Sequence, residues 1–214
     1  LFQNTVAYYK LDETSGDAID VINGYNGTLF GGVQQGVQGK IGNAYSFDGV
    51  DSYIQSNLDL SIFTHFTFRC WFKTTDTNQL SNALFHTSAF SGNGKAYLLS
   101  IEDGVVFFRF GGNMSFSSSS LNDNNWHRII LLFPQSKMSG DVRVFVDNNE
   151  LSILQITHNI QINVTSDNLN IGKRTDANSF YFNGLVDELV FDGNYNLTLA
   201  EISDDWNNGN GITI

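Results

Sequence analysis

The sequence predicts an all-β fold, two packed antiparallel sheets with one short helix near the C-terminus. Three observations lead there. Short runs of alternating or continuous apolar residues recur along the whole chain, which is the pattern of strands. Between them, 20 Gly and many Asn but a single Pro supply residues that tolerate the positive φ of tight turns. A helix signal occurs only once, late. The length of 214 residues, with 41% hydrophobic residues and 18 Phe, fits one domain spanning 1–214 with a large core.

The elements follow in order. "VAYYKL" (6–11) is short and aromatic, and "AYSFDG" (44–49) alternates up to Gly49. "FTFRCWFK" (66–73) sets Phe66, Phe68, Cys70 and Phe72 against Thr67, Arg69, Trp71 and Lys73. "KAYLLSIEDGVVFFRFGG" (95–112) reads as two strands around an Asp103-Gly104 turn. "WHRIILLF" (126–133) is continuously apolar, as expected of a strand covered on both faces. "DVRVFVDNNELSILQI" (141–156) reads as a hairpin turning at Asn148-Asn149, and "LNIG" (169–172) as a further strand. In "NLTLAEISDDW", Thr198 and Glu201 have capping-box spacing, and Leu199, Ile202 and Trp206 fall near one face. This predicts a short helix against the end of the sandwich.

"FNGLVDELVFDG" (182–193) poses a problem. Strict alternation puts Leu185, Asp187, Leu189 and Phe191 on one face and Val186, Glu188 and Val190 on the other. Whichever face turns inward carries a carboxylate, which needs a cation or several donors.

Charge narrows the function classes. The formal net charge is -11, from 11 Lys and Arg against 22 Asp and Glu. Such a surface repels phosphate backbones and anionic membranes, so neither nucleic acid nor a membrane is an expected partner. No apolar run reaches the roughly 20 residues of a membrane span. Few cations are available for a buried acid, which favours a bound metal ion in that role. Cys70 is the only cysteine, so no intrachain disulfide or thiolate zinc site forms, and its phase makes it a core residue. No signal-peptide pattern opens the chain at Leu1, as in a mature form or an excised module. The four sequons, at Asn26, Asn113, Asn163 and Asn196, are about as many as this composition gives by chance.

"YYKLDETSGDAIDVINGYNGTL", "GKIGNAYSFDGVDSYI", "FTFRCWFK", "NWHRIILLF", "VFVDNNEL", "LNIGKR" and "FNGLVDELVFDGNYNLTLAEI" resemble, in register, the LamG-like jelly-roll family of the concanavalin A-like lectin/glucanase superfamily. The resemblance covers nearly the whole chain and implies a two-sheet jelly roll, but no single function. It also implies a structural calcium where the first and last strands meet, with a closing-strand carboxylate, here Asp187, among the ligands. Asp20 and Asn23 of "DVINGYNG", with Asn26 beside them, and Asp48 and the Gly49 carbonyl of "FDG" would complete an oxygen-only set. In the alternative, Asp187 accepts backbone hydrogen bonds and Asp20 starts a turn. Glu188 is expected to face solvent or pair with a base.

The glucanase relatives carry acids at alternate positions of one strand, which sets both carboxylates on one face. Here Glu102-Asp103 and Asp187-Glu188 are adjacent and point apart. His65, His86, His127 and His158 lack metalloprotease spacing. An enzyme is therefore not expected. Lectin-type sandwiches use aromatic platforms ringed by polar groups. Trp71 and Arg69 share a face, and Arg109 shares one with Val105 and Phe107. If these strands are neighbours, Trp71, Arg69 and Arg109 contribute to a sugar- or acid-binding surface. Otherwise Trp71 packs under a loop and the arginines answer local acids. Loops 88–95 and 111–120 are further candidates. The leading expectation is a non-catalytic module recognising a glycan or glycoprotein on an extracellular, cell-surface or virion-surface protein. A structural assembly module among neighbouring modules is the alternative, and an accessory domain of a carbohydrate-active enzyme the third.

Overall fold

The structure, a computed structural model, describes residues 2–77, 82–87, 96–110, 113–118, 120–157, 168–174 and 180–213. Its strands begin with β1 (Thr5–Tyr9), β2 (Thr28–Phe30), β3 (Gln34–Gln38), β4 (Asn43–Asp48) and β5 (Tyr53–Ser56). The middle of the chain forms β6 (Phe66–Lys73), β7 (Asn82–His86), β8 (Leu98–Glu102), β9 (Val105–Arg109), β10 (Asn113–Phe116) and β11 (His127–Phe133). There follow β12 (Arg143–Val146), β13 (Asn149–Glu150), β14 (Ile153–Ile156), β15 (Leu169–Ile171), β16 (Asn183–Gly193) and the helix α1 (Leu199–Trp206). One sheet runs β13-β12-β11-β6-β16-β4-β3, with β1 also pairing with β16; the other runs β14-β10-β9-β8-β7-β15-β5-β2. Every pairing is antiparallel. These are the two antiparallel sheets that the alternation predicts, in the jelly roll that the resemblance implies.

The core lies between the sheets. Phe66, Phe68, Cys70 and Phe72 all join it, and Phe68 reaches Phe85 of the opposite sheet with ring centroids 4.6 Å apart. Burial pushes the Cys70 thiol far above its ordinary value. The Asp103-Gly104 turn forms with both residues at positive φ, joining β8 to β9. The predicted hairpin over 141–156 differs in two respects. Its turn is Asp147-Asn148, both at positive φ, with Val146 opposite Asn149. Beyond β13 the chain crosses over, and β14 pairs with β10 of the second sheet.

The closing strand resolves its acidic pair by a bulge. Asp187 stands opposite Trp71, but Val190 stands opposite Arg69. Three steps on β16 thus match two on β6, and the extra residue, Glu188, has φ 50. Alternation therefore restarts after the pair. Val186, Leu189 and Phe191 face the core, and neither acid does. The strict alternation expected from the sequence fails here.

The acids lie instead on the outer face of the first sheet, under the C-terminal segment. The capping box forms as predicted: Glu201 N–H donates to Thr198 Oγ1 at 3.3 Å, and Thr198 N–H to Glu201 Oε2 at 2.8 Å. Yet α1 lies on this face rather than against the end of the sandwich. Ile202 packs with Ile130, Leu132, Phe145 and Leu197, while Leu199 is exposed, contrary to the expected apolar stripe. The buried polar residue of the helix is Asp205. Its Oδ2 accepts from Arg128 Nε at 2.7 Å and its Oδ1 from Arg69 Nη1 at 2.5 Å. Arg69 also pairs with Asp192 at 3.2 Å, and Asp192 accepts from Thr5 Oγ1 at 2.7 Å. Burial alone would raise the Asp205 carboxyl, but the two guanidiniums hold it below the usual carboxylate range. Trp71 stacks on Trp206 beside this cluster.

Opening this clasp leaves buried charge unmatched. Asp205→Ala is expected to cost about 3–5 kcal/mol in chemical denaturation, whereas its exposed neighbour Asp204→Ala should stay within about 0.5 kcal/mol of the parent. His127 tests a second electrostatic contact. Its Nδ1 lies 2.7 Å from Asp147 and its Nε2 3.0 Å from Asp123. Burial lowers its pKa, but the two carboxylates outweigh this and raise it. A raised folded value gives stability that is complete below the unfolded pKa of about 6.5 and lost as pH climbs through the folded one. Denaturation midpoints from pH 5 to 9 should therefore show the parent losing its advantage over His127→Gln on the alkaline side.

Candidate functional site

The residues expected to gather around calcium do not come together. Asp20 saturates both carboxylate oxygens with backbone N–H groups: Oδ1 with Tyr8 at 2.8 Å and Ile22 at 3.0 Å, Oδ2 with Asn23 at 3.1 Å and Tyr25 at 2.9 Å. The side chain of Asn23 donates to the Val6 carbonyl at 2.9 Å. Asp48 caps its own turn, its Oδ1 accepting from Val50, Asp51 and Ser52 N–H and from Ser52 Oγ. Burial works against it, but those donors bring its carboxyl down to about 2.

The three segments are also apart. Asp48 pairs with Asn183, about 13 Å along β16 from Asp187. Asp20 bridges to Tyr9, which itself pairs with Leu189, so it lies two interstrand spacings, about 10 Å, from the closing strand. Among the described residues no three His, Cys, Asp or Glu side chains are placed to hold a metal ion. The four-residue donor set implied by the resemblance does not fit this arrangement.

Asp187 differs from the other three. It is fully buried, its Oδ2 accepts from Lys40 N–H at 2.8 Å and Ile41 N–H at 2.9 Å, and its Oδ1 has no hydrogen-bond partner. Burial pushes its carboxyl up to about 7; the Ile41, Lys40 and Glu188 amides resist this, and the charge of the Glu188 side chain adds to it. Glu188 is buried too, not in solvent, and accepts a hydrogen bond from the Tyr8 hydroxyl. Arg128 donates to its carbonyl at 3.0 Å.

The expected ligand surface of Trp71, Arg69 and Arg109 does not form either. Arg69 and Trp71 belong to the first sheet and Arg109 to the second. Trp71 is 1% exposed and Arg69 is fully buried, both under α1 and the segment after it. A Cβ on Gly211, at φ 71, would stand 2.8 Å from Trp71 Nε1, so glycine lets the chain close over the ring. Arg109 answers a local acid, as in the alternative reading. It donates to Glu102 Oε1 at 2.5 Å and Oε2 at 2.9 Å, and to Ser100 Oγ and Asn113 Oδ1, both at 3.0 Å. Loop 88–95 lies outside the described residues, as do 111–112 and 119. Phe116 is a core residue, not a rim platform.

The outer face of the second sheet is largely polar; its middle is buried at Asn170, His86 and Ser100, and Thr28 and Asn113 towards its edges are exposed. Register places Thr28, Gln55, Asn170, His86, Leu98, Arg109 and Asn113 in one row across it. Leu169, Ile171, Leu99 and Phe108 alternate with them into the core. The row runs out at the β2 edge into a groove of about 380 Å³, lined by Gly24, Asn26, Thr28, Phe30, Gln55, Ser56, Asn57 and Asn168. Its floor is fixed from below, since the Tyr9 hydroxyl lies 2.5 Å from the Tyr25 carbonyl and 2.8 Å from Ser56 Oγ, which itself donates to that carbonyl at 2.8 Å. Phe30 stacks on Tyr53 with ring centroids 4.6 Å apart and planes 8° apart. Lys173 Nζ lies 4.2 Å from the Tyr53 ring centre. Sequence reading missed this site: β2 is only three residues long, and Phe30 and the amides become neighbours only through pairing of β2, β5 and β15.

Comparison with known proteins bears on the fold. No curated protein matches the chain by sequence. Among solved structures, the binding domain of Paraclostridial Mosquitocidal Protein 1 superposes with a TM-score of 0.74 at 16% identity, over 96% of this chain and 52% of that one. The botulinum neurotoxin serotype D binding domain gives 0.67 at 12% identity, again over 96% and 52%. The chain thus spans about half the length of these toxin binding domains. Domain 4 of AbnA, an extracellular arabinanase from Geobacillus stearothermophilus solved with arabinotriose, gives 0.69 at 17% identity, over 94% of this chain and 97% of that domain. The family model Laminin_G_3, described as the concanavalin A-like lectin/glucanases superfamily, matches residues 48–203. With most of its length inside that match, the chain belongs to the concanavalin A-like lectin/glucanases superfamily.

Proposed function

We propose that the chain is a non-catalytic module that recognises a glycan or glycoprotein, acting on an extracellular, cell-surface or virion-surface protein. The observation that carries this reading is the preformed groove of amide, hydroxyl and aromatic side chains at the β2 edge of the second sheet. The groove sets six amide or hydroxyl side chains around one aromatic, Phe30, the donors and acceptors that a hydroxylated ligand uses. The arabinanase domain of nearly the same extent, solved with arabinotriose, supports the same class of ligand. The non-catalytic part is supported by where the acids stand: Glu102 is held by Arg109, and Asp187 and Glu188 are closed beneath the C-terminal segment. The likeness to that arabinanase domain also favours a second reading, an accessory domain of a carbohydrate-active enzyme.

A glycan array probed with the intact chain tests the proposal. Saturable binding to at least one glycan, with no release of reducing ends on prolonged incubation, is expected. Absence of binding across the array overturns it in favour of an assembly module, and turnover overturns the non-catalytic part.

Calcium at the closing strand is a proposal in a narrower form, resting on Asp187. Its buried Oδ1 without a partner is an oxygen that a hard cation takes; Asp20 and Asp48 are committed elsewhere. Thermal unfolding at pH 8 in millimolar calcium or in EDTA decides the matter. A calcium-dependent rise in Tm that Asp187→Asn abolishes is expected; a parent Tm indifferent to calcium overturns it.

A further inference from the structure

The geometry points to the groove at the β2 edge as a subsite for a neutral oligosaccharide, one bearing hydroxyls but no carboxylate, sulfate or phosphate. This rests on the reading of the chain as a glycan-recognition module. The chain has 33 charged side chains, 11 basic and 22 acidic, yet none lines the groove among the described residues. An anionic sugar entering it would shed water and meet no cation, in the field of a protein of net charge -11. Lys173 is committed behind the aromatic wall, with Nζ over Tyr53 at 4.2 Å and over Tyr181 at 5.4 Å.

The polar groups present suit hydroxyls. A sugar hydroxyl both donates and accepts, so its site must offer both roles. Asn26 Oδ1 already accepts the Asp20 N–H at 3.0 Å, which leaves its NH2 as the principal group for a ligand. Gln55 has the opposite bias: its Nε2 donates to Asn170 Oδ1 at 3.3 Å, which leaves its carbonyl oxygen to accept. Thr28 and Asn57 are exposed on the same wall. Phe30 supplies the apolar surface. One face of its ring rests on Tyr53, and the side chain remains 38% exposed at the groove, where the C–H face of a sugar ring can stack.

The wall is preorganised. Gly31 sits at φ 63 where a Cβ would meet the Asp51 carbonyl oxygen at 2.3 Å. That tight turn after β2, tied by Gly32 N–H to Asp51 Oδ1 at 3.1 Å, fixes Phe30, and fixing the wall in advance reduces the entropy lost on binding. The volume, about 380 Å³, is at the small end of small-molecule sites and fits a short saccharide stretch.

Calorimetric titration with arabinotriose, xylotriose and cellotriose on one side, and sialyllactose and trigalacturonate on the other, tests the inference. At least one neutral trisaccharide is expected to bind while neither acidic one does. Phe30→Ala and Asn57→Ala should each weaken that binding about tenfold or more, while Ile62→Ala, at an exposed site outside the groove, leaves it unchanged. Circular dichroism checks folding; if Phe30→Ala misfolds, the exposed Asn57→Ala decides. Neutral binding that survives both groove variants overturns the subsite and leaves the recognition reading standing, and so does binding of the acidic sugars alone. If none of these saccharides binds and a wider array is also blank, the recognition reading falls and the subsite with it.

Discussion

One buried carboxylate organises the back of this molecule. Asp205 reaches from the C-terminal helix into the outer face of the first sheet and meets two guanidiniums there, Arg69 and Arg128. Each group alone would be prohibitively costly away from water; together, with Asp192 and Thr5 completing the contacts, they satisfy one another. The arrangement links the first strand, the central strands β6 and β11, the closing strand and the helix. The groove proposed for a partner lies away from this face, at the β2 edge of the second sheet.

This division explains why the arginines and tryptophan that stand out in the sequence serve the architecture. In a chain with few cations, Arg69, Arg128 and Arg109 all neutralise neighbouring acids. Recognition is left to uncharged side chains. Amides and hydroxyls draw little notice in a sequence rich in Asn and Ser, but they suit a ligand that is itself uncharged and hydroxylated.

Much of the fold was legible in the chain itself. The Phe stripe of β6, the Asp103-Gly104 turn and the Thr198–Glu201 capping box depend on neighbours within a few residues, and each formed as read. The failures share a physical cause. Asp205 drew no notice in the sequence because its partners are 77 and 136 positions away. The turn at Asp147-Asn148 was missed by one residue because three consecutive residues there, Asp147, Asn148 and Asn149, all favour turns. Asp20 and Asp48 looked like ligands because an acid in a Gly-rich turn binds backbone amides as readily as a cation. The groove was invisible because pairing among β2, β5 and β15 assembles it from segments more than a hundred residues apart.

The bulge at Glu188 has an evolutionary corollary. The extra residue absorbs one step of the alternation, so removing it would leave Asp187 opposite Trp71 and Val190 opposite Arg69 in a regular ladder, with Leu189 and Phe191 still facing the interior. What the bulge supplies is a second carboxylate beside Asp187, accepting from the Tyr8 hydroxyl, with neither acid turned into the core. Descendants of this sequence could therefore lose Glu188 and keep the rest of the strand in place, giving up only its contacts with Tyr8 and Arg128.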